Sequence, residues 1–369
     1  MKKSARPDLI LLFVVLMLLS VGLIMVFSAS PSVSLRVGDA YYYFKRQILY
    51  LLLSLTAMYL AYKMDLNVLK KWTPALFILS FGLLLLVLVP GIGKKVGGAV
   101  RWLDFFLFSF QPSELAKLSL ILMLALTLAN IKERILLFTR GILPALLLTL
   151  LVIGTVMLEP DLGTAAVIMA VSFVMLFVAG ANQLYLGGMA LLGLIAVIVL
   201  SFTSSYRLRR IMGYINPWKD PYNVGFHVIQ SLLAVGSGGL FGLGLGASKQ
   251  KFYYLPQQYT DFIFAVLCEE TGLIGALVVL FLFFMFIVRG LGIARFAKDR
   301  YQALVAAGII TWIGMQALVN IFVVLGLLPT TGIPLPFVSY GGTSLLISLF
   351  AVGLVLNVSS KVNPVRSRE

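Results

Sequence analysis

The chain has 369 residues, 60% of them hydrophobic and 12% charged, with a formal net charge of +15 and a mean hydropathy of +1.02. Soluble domains lie nearer one half apolar and one quarter charged, so this composition excludes a soluble globular protein and indicates an integral membrane protein. The basic excess belongs to topology rather than to nucleic acid. The single cysteine, Cys268, excludes an intramolecular disulfide, and the single histidine, His227, leaves a classical zinc site or a Ser-His-Asp triad without support.

Stretches of roughly 17 to 25 apolar residues predict ten helices, at about 9–28, 46–62, 74–90, 114–130, 141–158, 164–180, 184–203, 262–288, 303–328 and 343–359. The first is too long for a signal-peptide core and lacks a clear small-residue cleavage site, so it reads as a retained span. The expected fold class is an all-α polytopic membrane protein of about ten transmembrane helices, a single domain over 1–369. A long extracytoplasmic loop, about 204–261, separates helices 7 and 8. With the N-terminus cytoplasmic, the inner side receives Lys2, Lys3 and Arg6, then Lys63, Lys70 and Lys71, then Lys132, Arg134 and Arg140. It also receives Arg289, Arg295, Lys298 and Arg300, and finally Lys361, Arg366 and Arg368, in small clusters at span ends as the positive-inside rule expects. Bases in the long 204–261 loop do not overturn this orientation, because long loops escape the rule.

The irregular polar stretches then fall on the outer side. In "RWLDFFLFSFQPSELAK" (101–117), Pro112 suits a first helical turn, and Glu114 and Lys117, three apart, share a helix face. That spacing fits a local salt bridge or part of a site. "EPDLGT" (159–164) reads as a turn in which Asp161 or Thr164 caps the next helix, unless its carboxylates dip inward and meet cations. "SYRLRRIMGYINPWKDPYNVGFHVIQ" (205–230) reads either as a surface helix on anionic headgroups or as an anion clamp built from Arg207 and Arg210. His227 reads as a polar loop residue. "SGGLFGLGLGASKQK" (237–251) is not a nucleotide loop; its glycines let backbone turn and pack closely. "LLPTTGIPLPFVSYGGTS" (327–344) is a re-entrant break that walls a cavity.

"LPQQYTDFIFAVLCEETGLIGA" (255–276) places Asp261 where the cationic loop meets the eighth span, with Glu269 and Glu270 roughly 12 to 14 Å further along a helix. Carboxylates in an apolar run face a bundle interior and mark function. Asp261 could cap the helix. The gathering of the other polar breaks on the same side favours an outer cleft holding carboxylates and cations.

At "GLIMVFSAS", "RWL…QPSELAK", "EPDLGT", "GLGLGASKQKFYYLPQQYTDFIFAVLCEETGLIGA" and "GIPLPFVSYGGTSLL", over almost the whole chain, the sequence resembles the SEDS family, which includes FtsW, RodA and SpoVE. "GLGLGASKQKFYYLP" with "GLIMVFSAS" is more similar to the FtsW and SpoVE branch. Gln257-Gln258-Tyr259 departs from the family's more acidic pattern there. The resemblance implies a peptidoglycan glycosyltransferase in the bacterial cytoplasmic membrane, with both termini cytoplasmic. It would polymerise lipid II in cell division with a class B penicillin-binding protein and other divisome or elongasome membrane proteins. RodA-like elongation and lipid II flipping are the alternatives. Asp261 matches the residue held essential for polymerisation, and Glu114, Lys117 and Asp161 match implicated positions.

Inversion at the donor's anomeric carbon needs one base at the acceptor hydroxyl and positive charge at the leaving diphosphate. Asp261 is the expected base. Arg101, Lys117, Arg207, Arg210 and Lys251 are the expected cations on the substrate, with Glu114 orienting Lys117 and Asp161 either orienting a cation-bearing residue or helping to bind metal. Scattered carboxylates allow Mg²⁺ or Mn²⁺, with no compact ligand motif.

Overall fold

The computed structural model describes residues 6–35, 38–96, 99–105, 108–202, 205–249 and 258–362. Each of the ten expected spans coincides with one helix: α1 Leu9–Ala29, α2 Tyr42–Lys63, α3 Leu66–Val87, α4 Pro112–Ile131, α5 Leu143–Leu158, α6 Leu162–Val178 and α7 Gln183–Phe202 precede the outer segment. Two further helices, α8 Ser205–Ile215 and α9 Phe226–Ser237, lie within it, and α10 Ile263–Phe296, α11 Arg300–Val324 and α12 Gly342–Ser360 follow. Among the described residues eight helices are long and apolar enough to cross a membrane. The other two expected spans, α2 and α6, are the cation-bearing Tyr42–Lys63 and a helix of 17 residues.

The 204–261 segment carries two helices, α8 and α9, and the first falls on the arginine-rich stretch for which a surface helix is one of the two readings. In α8 the apolar residues Leu208, Ile211, Met212 and Ile215 recur at helical spacing among the arginines. In addition, β1 Gly93–Val96, β2 Ala99–Phe105 and β3 Phe108–Phe110 form a small antiparallel sheet in the order β1-β2-β3, a departure from the all-α class. Leu103, at 2% exposure, is the sheet's buried anchor, paired with Gly93 on one side and Phe110 on the other. The sheet delivers the chain to Pro112, at the start of α4.

α11 runs through the interior against α10, α6 and α4, while α12 lies along α2. Most of α11 is buried, including the polar-tipped Trp312, Gln316 and Asn320. These three recur every fourth residue and so share one stripe of the helix.

α10 is interrupted at Gly272, whose φ is +67°. Such a break frees backbone groups that cannot stay unpaired in a membrane protein. The glycine-rich segment takes them up. The amides of Leu243 and Gly244 donate to the carbonyls of Glu269 and Glu270 (2.9 and 3.0 Å), and the carbonyl of Gly239 accepts from the amide of Leu273 (2.9 Å). A side chain at Gly242, φ +80°, would place its Cβ 2.2 Å from the Glu270 carbonyl oxygen. Close approach is therefore what the glycines provide.

Candidate active site

The site is assembled around the non-helical connector 325–341, between α11 and α12. Its buried side chains Ile333, Leu335, Phe337 and Val338 anchor it in the bundle, as expected for irregular backbone at this depth. Gln316 donates through Nε2 to the Pro334 carbonyl (3.3 Å), and Asn320 donates through Nδ2 both to the Ile333 carbonyl and to the Asp261 carbonyl (2.7 Å each). The stripe on α11 thus fixes the connector and the turn bearing Asp261 in one frame. These polar residues, spaced by four in an apolar helix, were the signal in the sequence that motif reading passed over.

A polar cavity lies between α4, α6, α11 and this connector, lined by Glu114, Lys117, Asp161, Thr164, Gln316 and the 332–334 segment. Asp261, on the turn ahead of α10, stands beside this cavity. One of its carboxylate oxygens, Oδ2, lies 3.7 Å from where a Cβ on Gly332 would stand. Asp261 is half-buried and does not cap α10, whose N-cap is Phe262 with no side-chain cap bond. Burial pushes its carboxyl up to about 6, with Arg210 and Arg101 pulling it back down and Asp161 adding to the rise. A carboxyl near 6 is ionised at neutral pH yet basic enough to accept a proton.

Glu114 and Lys117 form the pair their spacing predicts. Lys117 Nζ lies 2.6 Å from Glu114 Oε1, with both side chains almost fully buried. The ammonium also donates to Gln316 Oε1 at 3.0 Å and stands 5.0 Å from the Trp312 ring centre. Trp312 Nε1 donates to the same Gln316 oxygen. Both members of the pair line the cavity.

The 159–161 turn is wrapped around Arg101 of β2. The guanidinium donates from Nε to the Glu159 carbonyl (3.1 Å) and from Nη2 to the Pro160 carbonyl (2.7 Å), and its Nη1 lies 3.4 Å from Asp161 Oδ2. Asp161 also caps α6, accepting from the Thr164 amide at 3.0 Å. The capping and inward-facing readings of "EPDLGT" are therefore both realised by one side chain. Its neighbour Glu159 is 1% exposed, and neither carboxylate oxygen has a hydrogen-bond partner among the described residues. Burial, then Asp161, push its carboxyl up to about 8 against the pull of Arg101, so Glu159 is mostly neutral at pH 7. The sequence offered no signal for this, because nothing in the motif says which of the two acids turns inward without a donor.

Arg210 of α8 donates to the Thr330 carbonyl at 2.8 Å, and Tyr214 donates to the Leu327 carbonyl at 3.1 Å. The arginine-rich helix is thereby docked on the connector. Arg207 lies in α8 with its side chain outside the described residues, and Lys251 and Gln257 lie outside them altogether. His227 belongs to α9 rather than to a loop, and its ring stacks on Phe262 at 5.9 Å.

Glu269 and Glu270 are buried but belong to the support of the helix break. Ser28 of α1 donates to Glu270 (2.6 Å), Ser248 donates to Glu269, and the Lys249 amide donates to Glu269 at 3.0 Å. They tie α1 and the glycine-rich segment to α10. No group of three His, Cys, Asp or Glu able to hold a metal occurs among the described residues.

A family model described as "Cell cycle protein", that of FtsW, RodA and SpoVE, matches residues 9–363. The chain belongs to the FtsW/RodA/SpoVE family. It is 46% identical to the stage V sporulation protein E of Bacillus subtilis, over 97% of this chain and 98% of that protein. It is 44% identical to a probable peptidoglycan glycosyltransferase FtsW of Geobacter sp. strain M18, over 98% of this chain and 99% of that one. Among solved structures, a chain of a peptidoglycan synthase complex superposes with a TM-score of 0.79 at 34% identity, covering 96% of this chain and 97% of the other. RodA of Thermus thermophilus superposes with a TM-score of 0.71 at 32% identity, covering 96% of each. Family membership and the apolar helices together make this an integral membrane protein of the FtsW/SpoVE branch.

Proposed function

We propose that the chain is an inverting peptidoglycan glycosyltransferase that polymerises lipid II at the outer face of the cytoplasmic membrane. The observation that carries this reading is the convergence of the Asp261 carboxylate with the Glu114–Lys117 and Arg101–Asp161 pairs around one polar cavity. In the reaction the acceptor's GlcNAc 4-hydroxyl attacks the donor's anomeric carbon. The new C–O bond forms as the bond to diphosphate breaks, undecaprenyl pyrophosphate leaves, and the hydroxyl proton passes to Asp261. Arg210, held on Thr330, and Lys117, held by Glu114, supply positive charge for the diphosphate. Arg101 fixes Asp161 and the turn around it. Positive groups held in place before the reaction stabilise the leaving charge without reorganising.

The described residues do not make a ready metal site, so no step is assigned to a divalent cation. Mg²⁺ or Mn²⁺ accompanying the diphosphate would be a property of the substrate complex. The partner is a class B penicillin-binding protein that cross-links the product. Similarity to proteins named FtsW supports a division-type rather than a RodA-type role.

The test is conversion of fluorescent lipid II by the purified chain, alone and with its partner transpeptidase. Glycan ladders that disappear in a folded Asp261→Ala variant support the assignment. Headgroup translocation in liposomes without any polymer would replace it with a flippase.

A further inference from the structure

Tyr43 of α2, Tyr259 of the turn before α10 and Tyr340 of the connector come from three separate elements and meet in one cluster. Ring centres lie 4.7 Å apart for Tyr43 and Tyr259, 5.2 Å for Tyr43 and Tyr340, and 5.7 Å for Tyr259 and Tyr340. The main chain ties this cluster to the turn bearing Asp261. The Tyr340 amide donates to the Tyr259 carbonyl at 2.9 Å, and Ser339 Oγ donates to the Thr260 carbonyl at 2.6 Å. None of the three tyrosines is fully buried. Beside them Gln47, one helical turn on from Tyr43 and only 2% exposed, has an amide oxygen with no hydrogen-bond partner among the described residues. Its Nε2 reaches the Ser339 carbonyl at 3.5 Å.

Partly exposed phenol rings offer flat apolar faces edged with hydroxyl groups, and a pyranose offers the complement, a C–H face ringed by hydroxyls. The cluster is also chemically distinct from the diphosphate side. There the cations are held against carboxylates and backbone oxygens, whereas the arginine at the cluster, Arg46, stacks 5.4 Å over Tyr42 and donates to its hydroxyl at 2.7 Å. We propose that Tyr43, Tyr259 and Tyr340 form a sugar platform that seats a pyranose ring of the acceptor glycan, with its hydroxyl directed to Asp261. Gln47, enclosed out of reach of the sugar, ties α2 to the connector beside the platform. This assignment rests on the glycosyltransferase reading for its direction of use, but the binding it asserts can be measured without turnover.

The probe is the β-1,4-linked tetramer of N-acetylglucosamine, with the full chain in lipid nanodiscs and saturation-transfer NMR as readout. Losing one aromatic contact is expected to weaken tetramer binding roughly two- to ten-fold in Tyr43→Leu and in Tyr340→Leu. Tyr43→Phe and Tyr340→Phe retain most of it. In lipid II polymerisation with the partner transpeptidase, the leucine variants are expected to release shorter strands. Wild-type tetramer affinity and strand length in the leucine variants overturn the platform while leaving the glycosyltransferase intact. Tyrosine-dependent tetramer binding by a wild-type chain that makes no polymer overturns the glycosyltransferase reading and retains the sugar site. Should the leucine variants fail to fold, wild-type protein protonated only at tyrosine decides the matter. Saturation reaching the sugar supports the platform, and none reaching it refutes it.

Discussion

Asp261 is placed where burial and nearby cations oppose each other, and the balance makes its protonation state measurable. Its carboxyl lies at about 6, so the base form is lost as pH falls through 6. Polymerisation rate at saturating lipid II is expected to rise about tenfold per pH unit below that point and to level off near pH 7. A profile flat from pH 5 to 8 would remove Asp261 as the base. The same shift bears on stability. A carboxyl raised in the folded state favours folding when protonated, and that contribution declines as pH climbs from the ordinary carboxylate range through 6. Asp261→Asn should therefore show a higher Tm than wild type at pH 7 while losing polymerisation, as expected where an active site is kept at a cost to stability. Lys117 and Glu114 give the opposite pattern. Truncating either partner leaves an unpaired buried charge and is expected to cost about 3–5 kcal/mol, whereas Glu114→Gln with Lys117→Met together costs less than the sum of the single changes. Additive losses in a thermal-unfolding cycle would show that the two residues are not coupled.

At the scale of elements, the break in α10 decides where the glycine-rich segment docks. The helix cannot continue through Gly272, and the freed carbonyls of Glu269 and Glu270 are paired by the glycine-rich segment. Gly242 and Gly272 occupy positive φ and pass within contact of each other's backbone. Gly242→Ala combines an unfavourable conformation, about 1–3 kcal/mol, with a clash against main chain that cannot move aside. Its expected signature is a lowered Tm together with reduced polymerisation, since the segment ahead of α10 loses its seat. Unchanged melting would mean that the segment relaxes freely and does not set the frame of the site. The sheet has a comparable role on the other side, because β2 carries Arg101 to the 159–161 turn that it holds.

For the whole molecule, the bundle gathers the carboxylates and cations of the site at one end of the helices, and we propose that the basic clusters at the other end direct it outward. With Cys268 replaced by serine, a membrane-impermeant maleimide should label Tyr222→Cys, at an 87% exposed position beyond α8, in intact spheroplasts. Lys71→Cys, at the start of α3, should react only after the membrane is opened. The reverse pattern would invert the topology and put the cavity on the cytoplasmic side.

Much of this was legible in one dimension because a bilayer imposes a length and a polarity on every span. Ten apolar runs became ten helices, and Glu114 with Lys117 paired as a spacing of three on a helix requires. The glycines of 237–251 packed backbone against backbone, as residues without a Cβ can. Other features depended on contacts between residues far apart in the chain. Trp312, Gln316 and Asn320 became site-builders only when α11 was buried against the connector, and Glu269 and Glu270 turned out to brace a helix break rather than to line the cavity. Glu159 acquired its neutral state from enclosure, while its neighbour Asp161 found Arg101 from a strand that no periodicity announced. Local sequence sets which segments can leave water and which turns can form. Which buried polar group meets which partner is decided only when distant segments enclose the same small volume and each donor must find an acceptor.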